Sequence, residues 1–173
     1  MTSSAPPCAV FGKIARTLKT ALSMPASCGR KQSGAPVSDI DAVLDTDVLI
    51  EIFRGDDRAR AWLARIESHV LGIPIFVYME ILLGARNKRE QRALATQLAQ
   101  YTILHLESGD SPKAQEWFEQ FHLSHGVGIM DCLIATIPFR LGCPFFTFNL
   151  KHFRALPGLD VHAPYRRPRP SAA

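Results

Sequence analysis

At 173 residues, with 47 % apolar and 21 % charged side chains, the chain is sized for one globular domain and is too apolar for a disordered one. It has no unbroken apolar stretch of the roughly 20 residues that a membrane-spanning helix needs, so no membrane contact is expected and a cytoplasmic location is. The formal charge of +4 is unevenly spread: residues 1–38 hold Lys13, Arg16, Lys19, Arg30 and Lys31 and no acid, which leaves −1 for the remainder, so the basic balance is no argument that the folded part binds nucleic acid.

In chain order, residues 1–38 are rich in Ser, Ala, Pro and Gly. That composition resembles a transit peptide and equally fits a disordered basic tail or a start site placed too early; the tail is the expectation. A folded domain is expected over residues 39–165 and a flexible, Arg- and Pro-rich tail over 166–173. Ala42-Val43-Leu44 reads as a short buried strand ending at Asp45, with a helix from about Val48 and a second over Asp57 to Ser68. Ile73 to Val77 is β-rich and runs into a helix holding Ile81, Leu82 and Leu83. Lys88 to Tyr101 is amphipathic, with Leu94 and Leu98 one turn apart, and Thr102 to Leu106 reads as a strand. Ser111-Pro112 looks like a helix start, a cap followed by a first-turn proline, for a helix reaching about Ser124. Ile129 to Leu141 reads as a helix despite Pro138, Gly142 ends it, and Pro144 to Phe148 is β-like. Strands alternating with helices predict an α/β fold with a mainly parallel sheet.

Three carboxylates stand in apolar surroundings. Asp45 lies between Val43-Leu44 and Val48-Leu49-Ile50, Glu80 between Tyr78-Met79 and Ile81-Leu82, and Asp131 between Ile129-Met130 and Cys132-Leu133. No Lys or Arg falls within five positions of any of them. A buried carboxylate needs a partner, a proton or a wet opening. Asp45 and Asp131 would also serve as helix caps. Three such acids near the carboxyl ends of parallel strands fit a hard divalent metal, Mg²⁺ or Mn²⁺, better than capping alone.

Four segments taken together resemble the PIN-domain family. They are Asp45-Thr46-Asp47-Val48-Leu49-Ile50, Glu80-Ile81-Leu82-Leu83-Gly84-Ala85, Asp131-Cys132-Leu133-Ile134-Ala135 and Thr147-Phe148-Asn149-Leu150-Lys151-His152-Phe153. Their order and spacing match over residues 41 to 162, most similarly to VapC-type ribonuclease toxins. The resemblance implies a three-layer α/β/α sandwich over a mainly parallel sheet of about five strands. It implies Mg²⁺ or Mn²⁺ at Asp45 and Asp131, with Glu80 assisting ligation or water activation and Asn149 orienting a water or the scissile phosphate. It also implies an RNA substrate, a cognate antitoxin and a homodimer. Asn149 is neutral where more acidic family members carry Asp, so a second metal would be held weakly. Asp47 reads equally as a further ligand or a cap.

Other functions stay open on the sequence. A PIN fold that binds RNA or a protein without cutting is one. A haloacid-dehalogenase-type phosphatase is another, because Asp45-x-Asp47 follows a first strand, although Leu49 stands where that family has Thr. His122 and His125 share a helix face and read as solvated rather than as a metal pair. Arg86, Lys88, Arg89 and Arg92 form a basic cluster that suits solvent or phosphate. Phe145, Phe146, Phe148 and Phe153 read as core. The four cysteines have no zinc-site spacing and are expected to be reduced.

Overall fold

The structure is a computed structural model and describes residues 39–167. Five strands, β1 (Ala42–Leu44), β2 (Leu71–Pro74), β3 (Thr102–Leu104), β4 (Phe145–Phe146) and β5 (Val161–His162), form one sheet in the order β3-β2-β1-β4-β5. Every pairing is parallel, with Val43 opposite both Gly72 and Phe145 at the centre. Helices α1 (Thr46–Phe53), α2 (Asp57–Arg65), α3 (Ile75–Leu83), α4 (Lys88–Leu98), α5 (Asp110–His125), α6 (Ile129–Leu141) and α7 (Leu150–Phe153) flank it. The result is the expected three-layer α/β/α sandwich.

The central strands β1, β2 and β4 are apolar because both faces of the sheet are covered there. Val43, Leu44, Ile73 and Phe145 are fully buried, and Trp117, Leu98, Ile137 and Phe153 close over them from the helices. At about 25 cal/mol per Å² of apolar surface, this continuous core is the main favourable contribution to folding. Among the described residues no helix is long and apolar enough to cross a membrane.

Several boundaries differ from expectation, each for a local reason. β2 ends at Pro74 and α3 starts at Ile75, so Ile75 to Val77 are helical rather than extended. Pro74, at φ −57°, has the dihedral of a helix entry and no N–H for a further ladder bond. α1 begins directly at Thr46, because Asp45 caps it. α2 stops at Arg65, short of Ser68. α4 stops at Leu98, and its start is capped by Asn87, whose side chain accepts from Glu90 N at 3.0 Å. β3 ends at Leu104. α5 starts at Asp110 rather than at Ser111, and the Asp110 side chain accepts from Glu107 N at 2.8 Å. α5 and α6 end at Gly126 and Gly142, at φ 71° and 63°, a left-handed conformation that glycine adopts without side-chain clash. Pro138 is accommodated in the last turn of α6. β5 carries no sequence signal as a separate strand: two residues are too few for any periodicity to register.

The strand order matters for function. The chain runs β1 to β2 to β3 toward one edge, then returns through α5 and α6 to add β4 and β5 on the other side of β1. The reversal between β1 and β4 opens a crevice at their carboxyl ends, where α/β proteins bind ligands.

Candidate active site

Asp45 follows β1 immediately and so sits in that crevice, buried at 7 % exposure. Its Oδ1 accepts from Thr46 N at 2.7 Å, which caps α1. Its Oδ2 accepts from Thr147 Oγ1, just beyond β4, at 2.6 Å. Thr147 Oγ1 also accepts from Asn149 N at 2.9 Å. One buried hydroxyl thus ties the first acidic segment to the fourth across the switch point.

Glu80 lies on α3, which grows directly out of β2. Its carboxylate accepts a short hydrogen bond from Thr46 Oγ1. Asp131 is the third residue of α6 and reaches back to the start of its own helix, where its Oδ2 accepts from Gly128 N at 2.9 Å. His152 Nδ1, on α7, lies 2.8 Å from the same oxygen. Asn149 Nδ2 stands 3.2 Å from His152 Nδ1, so Asn149 and Asp131 both lie against the imidazole, whose Nδ1–H donates to Asp131 in the tautomer that pairs with the carboxylate.

The four expected residues are therefore joined in two linked pairs: Asp45 with Glu80 through Thr46, and Asp131 with Asn149 through His152. Capping and function coincide here. Asp45 does cap α1, and Asp131 makes the carboxylate half of a capping box, yet Oδ1 of Asp131 keeps no protein hydrogen bond among the described residues. None of Asp45, Glu80 and Asp131 pairs with a Lys or Arg among the described residues.

The electrostatics follow from that isolation. Burial raises the Asp45 carboxyl well above its ordinary range, and the charges of Asp47 and Glu80 add to the shift against the Thr147 and Thr46 hydrogen bonds. Burial likewise pushes Asp47 up to about 6, although Phe148 N donates to both of its oxygens at 3.0 and 3.1 Å. Burial, joined by the charge of Asp131, raises Glu80. Charge is being held where charge is disfavoured, and a cation would relieve it.

Among the described residues no three His, Cys, Asp or Glu side chains already converge on one metal position. The donor chemistry nonetheless fits Mg²⁺ or Mn²⁺. Both take hard oxygen ligands, and Mg²⁺ commonly uses one or two carboxylates with waters and substrate phosphate completing the shell. Asp45 and Asp131 would hold it, with Glu80 alongside.

Three further contributors, Thr46, Thr147 and His152, lie inside the four family-like segments without standing out there. A hydroxyl next to an acid carries little signal alone, whereas the Asn149-x-x-His152 spacing, one turn apart, does carry one. Other signals resolve as structure. His122 stacks on Phe118 with centroids 4.5 Å apart and sets Nδ1 2.9 Å from Val127 O, while His125 Nδ1 lies 2.8 Å from Ser124 Oγ, so the pair does not converge on a metal. Arg86 is committed to Glu90, and Lys88, Arg89 and Arg92 remain exposed. Phe145 and Phe153 are core; Phe146 and Phe148 are half-buried. Cys132 and Cys143 are buried free thiols, and burial pushes both up to about 11. Cys8 and Cys28 lie outside the described residues, as does all of the expected N-terminal tail. At the other end, within the segment expected to be a tail, the Arg167 guanidinium lies 3.7 Å above the Phe148 ring and pairs with Glu51 at 3.1 Å, and residues 168–173 lie outside the described residues.

The family model of the PIN domain matches residues 42–159, and the chain belongs to that family. The phosphatase reading is set aside by this match. Solved structures with the same fold include a toxin–antitoxin complex from Klebsiella pneumoniae, at 21 % identity and a TM-score of 0.59 over 73 % of this chain and 99 % of that one. They also include DNA-bound VapBC from Salmonella typhimurium, at 20 % identity and 0.62 over 73 % and 99 %, and FitAcB from Neisseria gonorrhoeae, at 21 % and 0.58 over 71 % and 97 %. No curated protein matches the sequence.

Proposed function

We propose that the protein is a divalent-metal-dependent endoribonuclease of the VapC type, the toxin half of a toxin–antitoxin pair. The carrying observation is that Asp45, Glu80 and Asp131 all lack a Lys or Arg partner among the described residues, with Thr46 hydrogen-bonded to both Asp45 and Glu80 and the charge of Asp131 felt at Glu80. Membership of the PIN family supports the reading, and so does the fold shared with toxin–antitoxin complexes.

Asp45 and Asp131 hold Mg²⁺ or Mn²⁺, which when bound lowers the pKa of water and steadies charge at the scissile phosphate. Thr147 and Thr46 fix the Asp45 carboxylate in one orientation through both of its oxygens. Glu80, with its raised affinity for protons, is suited to take a proton from the attacking water. His152 holds Asp131 Oδ2, so Oδ1, which has no protein hydrogen bond among the described residues, would be free to take the metal. Asn149, held by its backbone N–H on Thr147, presents an amide without adding charge and orients the phosphate or a water. RNA is the substrate. The working unit is a homodimer, and a cognate antitoxin restrains it in the cytoplasm.

The test is cleavage of RNA by purified protein with Mn²⁺ and with EDTA. Cleavage with Mn²⁺, abolished by EDTA, is the expected result. Binding of RNA without cleavage under any divalent metal would replace the enzyme by a PIN-fold binding module. Arrest of growth on expression, relieved by Asp45→Asn, tests the toxin role.

A further inference from the structure

Acids that hold a metal repel the RNA backbone that has to approach it, so a nuclease of this design needs cations beside the cleft. None lies close in sequence to the acids, and Arg86 is already committed to Glu90. Beside Lys151 on α7, the chain beyond β5 brings further cations against this end of the sheet. There the backbone turns back over the loop between β4 and α7, the loop that carries Asn149. Tyr165 meets Phe148 edge-on with centroids 5.0 Å apart. Arg167 lies over the same Phe148 ring, and Phe148 N donates to Asp47, two residues from Asp45. Phe148, Leu150, Ala163, Tyr165, Arg166 and Arg167 enclose an open cleft of about 440 Å³.

We infer that this cleft is a nucleotide subsite for single-stranded RNA, next to the acidic centre, in which Arg166 and Arg167 take backbone phosphates and the Phe148–Tyr165 wall takes a base or ribose. The inference rests on the nuclease reading. Its two chemistries are those that single-strand sites combine: cations along the backbone and an aromatic surface for the bases. Arg167 is available for the purpose. The arginine half of its ion pair with Glu51 is 44 % exposed, and Glu51 also pairs with Arg54 at 3.0 Å, so Glu51 keeps a cation when a phosphate takes Arg167. Its guanidinium, stacked on Phe148, is already oriented to offer a fork of donors.

The test uses the full chain and a short fluorescein-labelled oligouridine, with binding followed by anisotropy in EDTA over a range of salt. Replacing Arg166 and Arg167 together by Ala should weaken binding on the order of tenfold and reduce the log–log salt slope by about 1.4, or about 0.7 for each phosphate no longer neutralised. Arg167→Gln leaves an amide over Phe148 and removes the charge, so it should give about half that change in slope even if the double variant folds poorly. With Mn²⁺ present, KM should rise while kcat stays within about twofold, because these residues bind substrate and transition state alike. Wild-type affinity and slope in folded Arg167→Gln and in the double variant overturn the subsite, even where the wild type cleaves RNA. A reduced slope in EDTA from a protein that never cleaves leaves the subsite standing and overturns the nuclease.

Discussion

Two buried carboxylates at different places in the molecule have opposite surroundings. Asp110, at the start of α5, is 2 % exposed and accepts from Arg140 Nε at 3.0 and 3.2 Å and from Glu107 N at 2.8 Å, while Arg140 also reaches Glu107 at 2.7 Å. Asp45, at the end of β1, is 7 % exposed, and its neighbours in charge are Asp47 and Glu80. Burial is nearly equal; compensation is not. The first arrangement is complete within the chain and locks α5 to α6. The second has its hydrogen bonds, from Thr46 N and Thr147 Oγ1, but no cation to offset its charge. Position explains the contrast. Asp110 fastens two helices beside the sheet, and Asp45 opens into the switch-point crevice.

The largest expected effect separates the two sites by activity. Asp131→Asn is nearly isosteric and can keep its hydrogen bond from Gly128 N, so the fold should survive while cleavage falls by about 10³-fold or more, roughly 4 kcal/mol of transition-state stabilisation. Full activity in a folded Asp131→Asn would make Asp131 a cap and nothing more. Asp110→Ala should do the reverse. It removes the Arg140 Nε acceptor while Arg140 keeps Glu107 and His105 O, leaves Glu107 N without its acceptor and should cost about 3 kcal/mol in urea unfolding, with unchanged activity per folded molecule. A stable Asp110→Ala would show that the Arg140 network is ornamental.

A third difference lies in pH. Asp45, Asp47 and Glu80 bind protons more tightly in the folded state than in the unfolded chain. Their contribution to stability is therefore present below the unfolded carboxylate pKa of about 4 and is lost as pH rises. For Asp47 the loss runs up through about 6. Metal-free protein should lose more stability between about pH 4 and 7 than an Asp45→Asn variant does. Equal pH profiles for the two proteins would mean that the acids are not crowded.

The same contrast shows what sequence alone could read. Asp45, Glu80 and Asp131 stand out because each interrupts apolar sequence without a nearby cation, and the strand–helix alternation around them carries the fold class. Asp110 does not stand out, because Arg140, its partner, is 30 residues away and the pair exists only once α5 lies against α6. His152 and Thr147 are hidden for the same reason: they act on Asp131 and Asp45 across 21 and 102 residues. Arg167 reads as tail because proline- and arginine-rich ends carry no periodicity, and only its stacking on Phe148 shows that it is held. The strands ending at Pro74 and Leu104 stop two or three residues before the expected positions, where β-prone side chains continue past the last ladder bond.

The central claim is that the switch-point carboxylates are left uncompensated for a metal. Urea unfolding of the wild type and of Asp45→Asn at neutral pH, each in EDTA and in Mn²⁺, tests it most directly. In EDTA the variant should be the more stable, since it sheds a buried charge and its amide oxygen can still accept from Thr46 N. In Mn²⁺ at a hundredfold excess over the dissociation constant, the wild type should gain about 2.7 kcal/mol and the variant much less. A wild type that ignores Mn²⁺, together with an Asp45→Asn that is the weaker protein in EDTA, would contradict the account and make Asp45 a helix cap.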